Sequence, residues 1–285
     1  MTYDILTNQY DTQVVPLLRR MCHLRHLTLY IEINDRNTPV DGIQIENEFL
    51  IRLSRLQSFT FYIGTFVSIN YTLIPLSNDH IRRTFTNIKF GSVGCGRNHI
   101  QETYIAYHVF SLPFTFARIR FVGDCLTDTM FRNVTCLCIA DQVPFEHEFF
   151  LRLTRCFPSL ACLVITNRKA QSRDAVESEY RNDGSLEIAQ YFHLTSLTFA
   201  RVHIDYVEQM LNESKTRLPC LTELKVNYDH LKTVTDNFTR DTTRLNCINV
   251  EELSTYREGH SGNINNTSIN EQSKDFHIFF PMLKF

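Results

Sequence analysis

A short apolar phrase recurs along the chain, and it constrains the fold more than any other feature. Its clearest copy has Leu160, Leu163 and Ile165 in the spacing Leu-x-x-Leu-x-Ile, directly after Pro158. A proline ends the preceding helix, and the alternation that follows places the apolar side chains on one side of a strand. The spacing returns in further copies: Leu24/Leu27/Leu29, Leu56/Phe59/Phe61, Val134/Leu137/Ile139, Leu194/Leu197/Phe199, Leu221/Leu224/Val226 and Leu245/Ile248/Val250.

The segments between the copies have helical patterns. Residues 48–55 (EFLIRLSR) and 148–155 (EFFLRLTR) have nearly the same sequence, and each precedes a copy of the phrase. One helix and one strand cannot bury their apolar faces alone, so such units stack on their neighbours. The sequence therefore predicts an α/β fold: a leucine-rich-repeat solenoid with irregular repeats, a curved, mostly parallel sheet on the concave side and helices on the convex side.

We expect residues 1–285 to form a single solenoid domain. Residues 1–23 are predicted to be a helical lead-in, and residues 64–133 to be degenerate repeats because the apolar phrase is not recognisable there. Residues 254–274 contain many Asn and Ser together with Gly259 and Gly262, which is typical of a flexible loop.

Three local patterns stand out inside residues 64–133. A helix should begin after Ser77, the glycine-rich stretch from Gly91 to Gly96 should be a loop, and Tyr104 to Phe110 should be a strand. Further along, the copy that starts at Leu245 predicts a strand over residues 245–251.

An eighth, incomplete copy begins at Leu283. Phe280-Pro281-Met282-Leu283 repeats the pattern of Leu218-Pro219-Cys220-Leu221 shortly before the sequence ends. Because solenoid arrays usually end in a polar capping repeat, we expect the sequence to be a fragment, or a product that lacks its natural terminus.

Charge and composition exclude several classes of protein. The net charge of −2, from 29 basic and 31 acidic residues, lacks the positive excess of a nucleic-acid-binding protein. No apolar run reaches the roughly 20 residues of a membrane-spanning helix, and the first residues do not resemble a secretion signal. The nine cysteines are an odd number and several lie within the repeat phrases, so we expect free thiols in a reducing compartment, cytoplasmic or nuclear.

Motifs for catalysis or metal binding are incomplete. His147-Glu148 resembles the start of a zinc-protease helix, but Leu151 stands where the second histidine ligand would be. Cys95 and His99 could supply half of a zinc site, yet no second pair with fitting spacing follows. We therefore expect no enzymatic activity, no catalytic or metal-binding residues and no cofactor.

The best candidate site is the concave face of the strands. Residues between the apolar positions of each phrase point to the side opposite the core. The candidate protein-binding residues on this face are Tyr30, Tyr62, Thr166, Thr198, Lys225 and Asn227. Tyrosines near one end, small uncharged residues in the middle and a lysine near the other end suit a protein partner with aromatic anchor contacts. The alternative is that these residues are present only because Thr, Val and Tyr form strands well.

Several of these phrases, taken together, resemble the repeat region of F-box, leucine-rich-repeat-type proteins. The segments that carry the resemblance are VVPLLRRM (14–21), LTLY (27–30), FTFYI (59–63), PFEHEFF (144–150) and LTELKV (221–226).

The resemblance implies a non-enzymatic protein-protein interaction scaffold that presents a protein substrate to a cullin ubiquitin ligase. In that family an F-box binds the Skp1 adaptor, but the residues before Leu24 are too few for an F-box, so a Skp1-type adaptor is expected only if an F-box lies upstream. The alternative is a structural or non-functional remnant of an expanded repeat family without a specific ligand.

Overall fold

The protein is a mixed α/β structure in which helices accompany sheets that contain parallel strands. The computed structural model describes residues 6–69, 75–100, 103–124, 129–172, 187–258, 264–267 and 274–284. The chain divides into two compact units, whereas the sequence pattern predicts a single domain over residues 1–285. Unit 1 comprises Met1–Phe116 and Phe121–Asn133, and unit 2 comprises Ala117–Arg120 and Val134–Phe285.

Unit 1 contains a four-stranded sheet in the order β1-β2-β4-β3. Its strands are β1 (His26–Arg36), β2 (Ser58–Ser68), β3 (Ser92–Ile100) and β4 (Tyr104–Leu112). Strands β1 and β2 are parallel, and β4 pairs antiparallel with both β2 and β3. Its helical segments are a π-helix (Tyr10–Val14), α1 (Val15–Arg20), α2 (Gly42–Glu48), a 3-10 helix (Leu50–Arg52), α3 (Asn78–Arg83) and a second 3-10 helix (Ile88–Phe90).

Antiparallel pairing replaces the degenerate repeats predicted for residues 64–133. The connection between Ile100 and Tyr104 is too short for a crossover helix, so the chain reverses and β3 pairs with β4. The predicted loop from Gly91 to Gly96 is wrong, because β3 begins at Ser92. The strand predicted near Tyr104 is confirmed, as is the helix after Ser77, whose hydroxyl accepts a hydrogen bond from the His80 backbone.

The helical lead-in predicted for residues 1–23 is present as the π-helix and α1. The two similar segments at residues 48–55 and 148–155 fold differently. In the first, α2 starts early because the Asp41 side chain accepts the Gln44 backbone N–H at 2.8 Å, and only the 3-10 helix follows Glu48. The helix predicted for the second segment is confirmed as α4 (His147–Cys156).

Unit 2 is organised around a sheet in which five neighbouring strands are parallel. They are β6 (Cys136–Ala140), β7 (Cys162–Thr166), β9 (Ser196–Phe199), β11 (Glu223–Asn227) and β12 (Glu252–Glu258). The sheet is completed by β5 (Arg118–Val122) beside β6 and by β13 (Ile264–Thr267), antiparallel to β12. The short strands β8 (Ala189–Gln190) and β10 (Thr216–Arg217) form a separate parallel pair. The other helices are α5 (Ile204–Leu211), α6 (Tyr228–Val234), α7 (Asp241–Cys247) and α8 (Lys274–Phe279).

One hydrogen bond recurs at the start of successive strands in unit 2. The backbone N–H of one residue donates to the carbonyl of the equivalent residue, which lies directly before the preceding strand of the sheet. The pairs are Thr135 to Ala117 (2.8 Å), Ala161 to Thr135 (2.9 Å), Thr195 to Ala161 (2.9 Å), Thr222 to Thr195 (2.9 Å), Glu251 to Thr222 (2.8 Å) and Lys284 to Glu251 (2.9 Å). The last pair brings the chain back to the same position beside β12 immediately after Leu283, as the eighth copy of the phrase predicts.

The phrase assigned to Leu245, Ile248 and Val250 is wrong. Leu245 lies in α7 and is 53 % exposed, and Ile248 is 38 % exposed. The ladder pairs Leu224 with Leu253 and Val226 with Thr255, so the true phrase is Val250, Leu253 and Thr255.

The strand in this region is therefore β12 rather than residues 245–251. The flexible loop predicted for residues 254–274 is also wrong in part, because Ser254–Glu258 continue β12 and Ile264–Thr267 form β13. Residues 259–263 and 268–273 lie outside the described residues.

Candidate functional site: the outer strand face of unit 2

The parallel sheet of unit 2 has one face in the core and one face turned away from it. Leu137, Leu163, Leu197 and Leu224 are partners on successive strands, and all four are buried. Successive side chains along a strand alternate between faces, so the residues directly before and after each leucine on its own strand lie on the other face of the sheet.

We call this second side the outer strand face and define it by two rows of residues. The first row is Cys136, Cys162, Ser196, Glu223 and Glu252, and the second row is Cys138, Val164, Thr198, Lys225 and Ser254. All of these side chains are half-buried or exposed.

The ladder holds the two rows in fixed register. Neighbouring parallel strands lie about 4.8 Å apart, so each side chain stands beside its partner and partly shades it from solvent. Thr198 and Lys225 are direct partners in the second row. Two of the candidate residues chosen from the sequence are therefore neighbours on the outer strand face, and Thr166 lies on the same face at the end of β7, where it is half-buried.

Asn227 follows Lys225 on this face, but its side chain is occupied by the fold. Its Oδ1 accepts hydrogen bonds from the backbone N–H groups of Asp229 at 2.9 Å and His230 at 3.3 Å, which caps the start of α6. Its ladder partner Tyr256 is also buried and donates its hydroxyl to the Phe199 carbonyl at 2.8 Å. The expectation that Asn227 is available to a partner is therefore wrong.

Tyr62, in unit 1, is wholly buried, so its assignment to an exposed face is wrong as well. Its ring lies 6.0 Å from that of Phe114, in the segment that follows β4. Tyr30 is half-buried, stacks on Tyr62 at 4.7 Å and meets the edge of Phe116 at 5.3 Å. The side of β1 and β2 that alternation assigns to solvent is thus packed against aromatic side chains.

Charge is distributed unevenly along the first row. Arg118, at the start of β5, acts on the Cys136 thiol, while Glu223 and Glu252 stand at the opposite end. The centre carries thiols and a hydroxyl. The row is therefore neutral over its first three residues and acidic at the end formed by Glu223 and Glu252, while the basic Arg118 lies on the strand next to its neutral end.

The pair Cys136 and Cys162 is a feature that the sequence reasoning missed. The two residues are direct partners in the ladder and lie on the same face of the sheet. The neighbouring Cys162 side chain and the Arg118 guanidinium lower the pKa of Cys136, while the Cys136 side chain and burial raise the pKa of Cys162. The signal was present in the sequence, since each cysteine immediately precedes the second apolar residue of its phrase, Leu137 or Leu163.

The histidines and cysteines considered for metal binding have structural surroundings. His147 is buried, with Nε2 2.6 Å from the Glu187 carbonyl and Nδ1 within hydrogen-bonding distance of the Gln209 amide. Cys95 is buried in β3. Across the part of the chain that the structure describes, no group of three or more His, Cys, Asp and Glu residues is placed to hold a metal ion.

None of the helices in the described ranges combines the length and the apolar character that crossing a membrane requires. Comparison of the chain with protein-family models, with curated proteins and with solved structures yields no match.

Proposed function

We propose that the protein is a leucine-rich-repeat solenoid that acts as a non-enzymatic protein-binding scaffold. The recurring hydrogen bond at each strand start supports the repeat assignment, because it gives successive strands the same relation to their predecessors. The buried row of Leu137, Leu163, Leu197 and Leu224 supports it too, since stacked repeats bury equivalent residues side by side.

The observation that carries the binding role is the continuous in-register pairing of the strands that bear the outer strand face. Its side chains project from five strands whose backbones are paired in one register, so they are positioned before any partner arrives. Binding to such a surface loses little conformational freedom on this side of the interface, which favours affinity.

The chemistry of the face indicates the partner class. Its centre, with Val164 and Thr198, is uncharged and partly apolar, while the charged residues Glu223, Lys225 and Glu252 lie towards one end. A protein surface with an apolar centre and complementary charges at its rim fits this arrangement.

The resemblance of the repeat phrases to those of F-box proteins extends the proposal to a more specific role. In that role the partner is a protein destined for ubiquitination, and the compartment is the cytoplasm or nucleus. Contact with a Skp1-type adaptor requires an F-box elsewhere in the same polypeptide.

Affinity capture from cell extract tests the proposal. The purified chain is immobilised beside the double variant Thr198→Arg/Lys225→Glu, which alters the centre of the outer strand face. Lys232→Glu, at an exposed position on α6, is the control because it makes the same lysine-to-glutamate change away from that face.

We expect the wild type and Lys232→Glu to retain the same proteins, and the double variant to lose them. Circular dichroism verifies that all three proteins are folded. Equal capture by the double variant would contradict binding through this face. Capture no greater than that of the core variant Leu163→Asp, in which a buried charge disrupts folding, would favour a structural remnant without a ligand.

A further inference from the structure

Two thiols stand side by side on the outer strand face. Cys136 in β6 and Cys162 in β7 are in-register partners, and both are half-buried rather than enclosed. Neighbouring strands lie about 4.8 Å apart, which falls within the Cα separation of about 4.4–6.8 Å that a disulfide accepts. As direct ladder partners, the two residues lie side by side on the same face of the sheet.

The surroundings make the two thiols chemically unequal. The neighbouring Cys162 side chain and the positive charge of Arg118 lower the pKa of Cys136, so its thiolate forms more readily. A cysteine with a lowered pKa that solvent can reach is the attacking group in thiol chemistry. Cys162, whose pKa burial and Cys136 raise, keeps its proton and has Ser196 beside it in the same row.

We propose that Cys136 and Cys162 form a redox-active dithiol that reacts with hydroperoxides, with Cys136 as the attacking and Cys162 as the resolving cysteine. The proposal does not depend on the protein-binding role.

The reaction has two steps. In the first, the Cys136 thiolate attacks the terminal oxygen of the hydroperoxide; an S–O bond forms, the O–O bond breaks, and the leaving alkoxide or hydroxide takes a proton. In the second, Cys162 loses its proton to solvent and attacks the Cys136 sulfur, so that an S–S bond forms and the hydroxyl group leaves as water. Two thiols and one hydroperoxide thus give one disulfide, one alcohol or water, and one further water, and two electrons pass from sulfur to oxygen.

The resulting disulfide should be easily reduced. In-register partners on parallel strands have their Cβ atoms about a strand spacing apart, which exceeds the Cβ separation of about 3.5–4.5 Å that a relaxed disulfide has. A strained, accessible disulfide has a less negative reduction potential than a structural one, so cellular thiols can restore the dithiol.

The other described cysteines lack this arrangement. Cys138 lies on the same face, but its ladder partner is Val164. Cys95, Cys156 and Cys247 are buried, and Cys22 and Cys220 are exposed. Cys220 therefore provides an internal reference for a thiol that solvent can reach.

Peptide mapping after oxidation tests the proposal. The reduced full-length chain is treated with a stoichiometric amount of hydrogen peroxide at neutral pH, the remaining thiols are blocked with N-ethylmaleimide, and the digest is analysed by mass spectrometry without reduction. We expect a disulfide-linked pair of peptides containing Cys136 and Cys162, which dithiothreitol converts back to free thiols. We also expect Cys136 to react with iodoacetamide about tenfold faster than Cys220 in the same molecule, because more of it is thiolate.

Two variants separate the roles. Cys162→Ser should form no linked pair and should accumulate a sulfenic acid at Cys136, detected as a dimedone adduct. Cys136→Ser should lose both the linked pair and the adduct, while Cys220→Ser behaves as the wild type. Circular dichroism establishes that the variants are folded. Oxidation of Cys136 no faster than that of Cys220, or a disulfide from Cys136 to any other cysteine, Cys125 included, would overturn the proposal.

Discussion

The Tyr62 hydroxyl lies 2.9 Å from Nδ1 of His108, and both side chains are buried in unit 1. On the other side of the ring, Nε2 lies 3.1 Å from the Phe121 carbonyl and 3.2 Å from Asn98 Oδ1. A carbonyl can only accept, so Nε2 carries the proton and Nδ1 accepts the Tyr62 hydroxyl proton. Burial lowers the pKa of His108 to about 4, so the imidazole is neutral near pH 7, which is the state in which Nδ1 can accept.

We expect this histidine to make the free energy of unfolding depend on pH. The pKa of His108 is lower in the folded state than its ordinary value of 6.5, so the unfolded state binds the proton first as the pH falls. Stability is complete above about pH 6.5 and decreases as the pH falls towards 4, by about 3 kcal/mol in total. Urea unfolding between pH 8 and 4.5 should show a shallower pH dependence for His108→Gln, and an unchanged slope would contradict the assignment.

Burial of Tyr62 shows where reasoning from sequence stops. Alternation places Phe59 and Phe61 in the core, which the structure confirms. It assigns Tyr62 to the opposite face, and that is correct, but it cannot indicate that Phe114, far away in sequence, covers this face. Local periodicity gives the side of the strand, whereas exposure depends on contacts between distant segments.

The repeat pattern was readable where all three phrase positions are apolar. Leu163, Leu197 and Leu224 are buried as predicted. In the last complete phrase the polar Thr255 takes the third position, so a search for apolar spacing finds Leu245 instead. Leu245 belongs to α7, and only the pairing of Leu224 with Leu253 identifies the correct phrase. Alternation along the strands also predicts that Thr198 and Lys225 lie on the outer strand face. It cannot predict that Asn227 caps α6, because that requires knowing where the helix begins.

Substitution of leucines tests the corrected phrase. Leu224 is buried, so Leu224→Ala should lower the free energy of unfolding by about 2–5 kcal/mol through lost burial and the cavity left behind. Leu245→Ala is the matched control, and we expect it to cost less than about 1 kcal/mol because that side chain is already largely exposed. Urea unfolding measures both. A cost at Leu245 equal to that at Leu224 would restore the phrase first read from the sequence.

Asn246 holds the segment that leads from the end of α5 through β10. Its Nδ2 donates to the carbonyls of Thr216 at 2.7 Å and Leu211 at 3.0 Å, and its Oδ1 accepts the Leu218 N–H at 2.9 Å. Because the side chain is buried, Asn246→Ala leaves these backbone groups without their partner and should cost about 2–3 kcal/mol in the free energy of unfolding.

Asn249→Ala is the control for Asn246→Ala. Asn249 also donates to a backbone carbonyl, that of Pro219 at 2.9 Å, but it is exposed and water can replace it. We expect its loss to cost less than about 1 kcal/mol. Equal losses for the two variants in urea unfolding would show that the Asn246 contacts contribute no more than a surface hydrogen bond.

We expect that only glycine fits at position 94, because the backbone there lies close to the side chain of Phe110, its partner across the β3–β4 pair. A Cβ atom at position 94 would lie 2.3 Å from the nearest carbon of the Phe110 ring. The ring cannot simply turn away, since it also packs against Phe114 and Phe131 with centroids 5.4 and 5.7 Å apart. Gly94→Ala should therefore destabilise unit 1 by about 1–3 kcal/mol, as overpacking does in other cores.

A double-mutant cycle separates this steric cause from any other effect of alanine at position 94. Phe110→Leu removes the ring atoms that the new methyl group would meet, so Gly94→Ala should cost much less in the Phe110→Leu background than in the wild type. The coupling free energy, obtained from urea unfolding of the four proteins, should exceed about 0.5 kcal/mol, which is the limit for sites that do not interact. If the two costs simply add, the penalty at Gly94 arises from the backbone and the contact with Phe110 does not explain why glycine stands there.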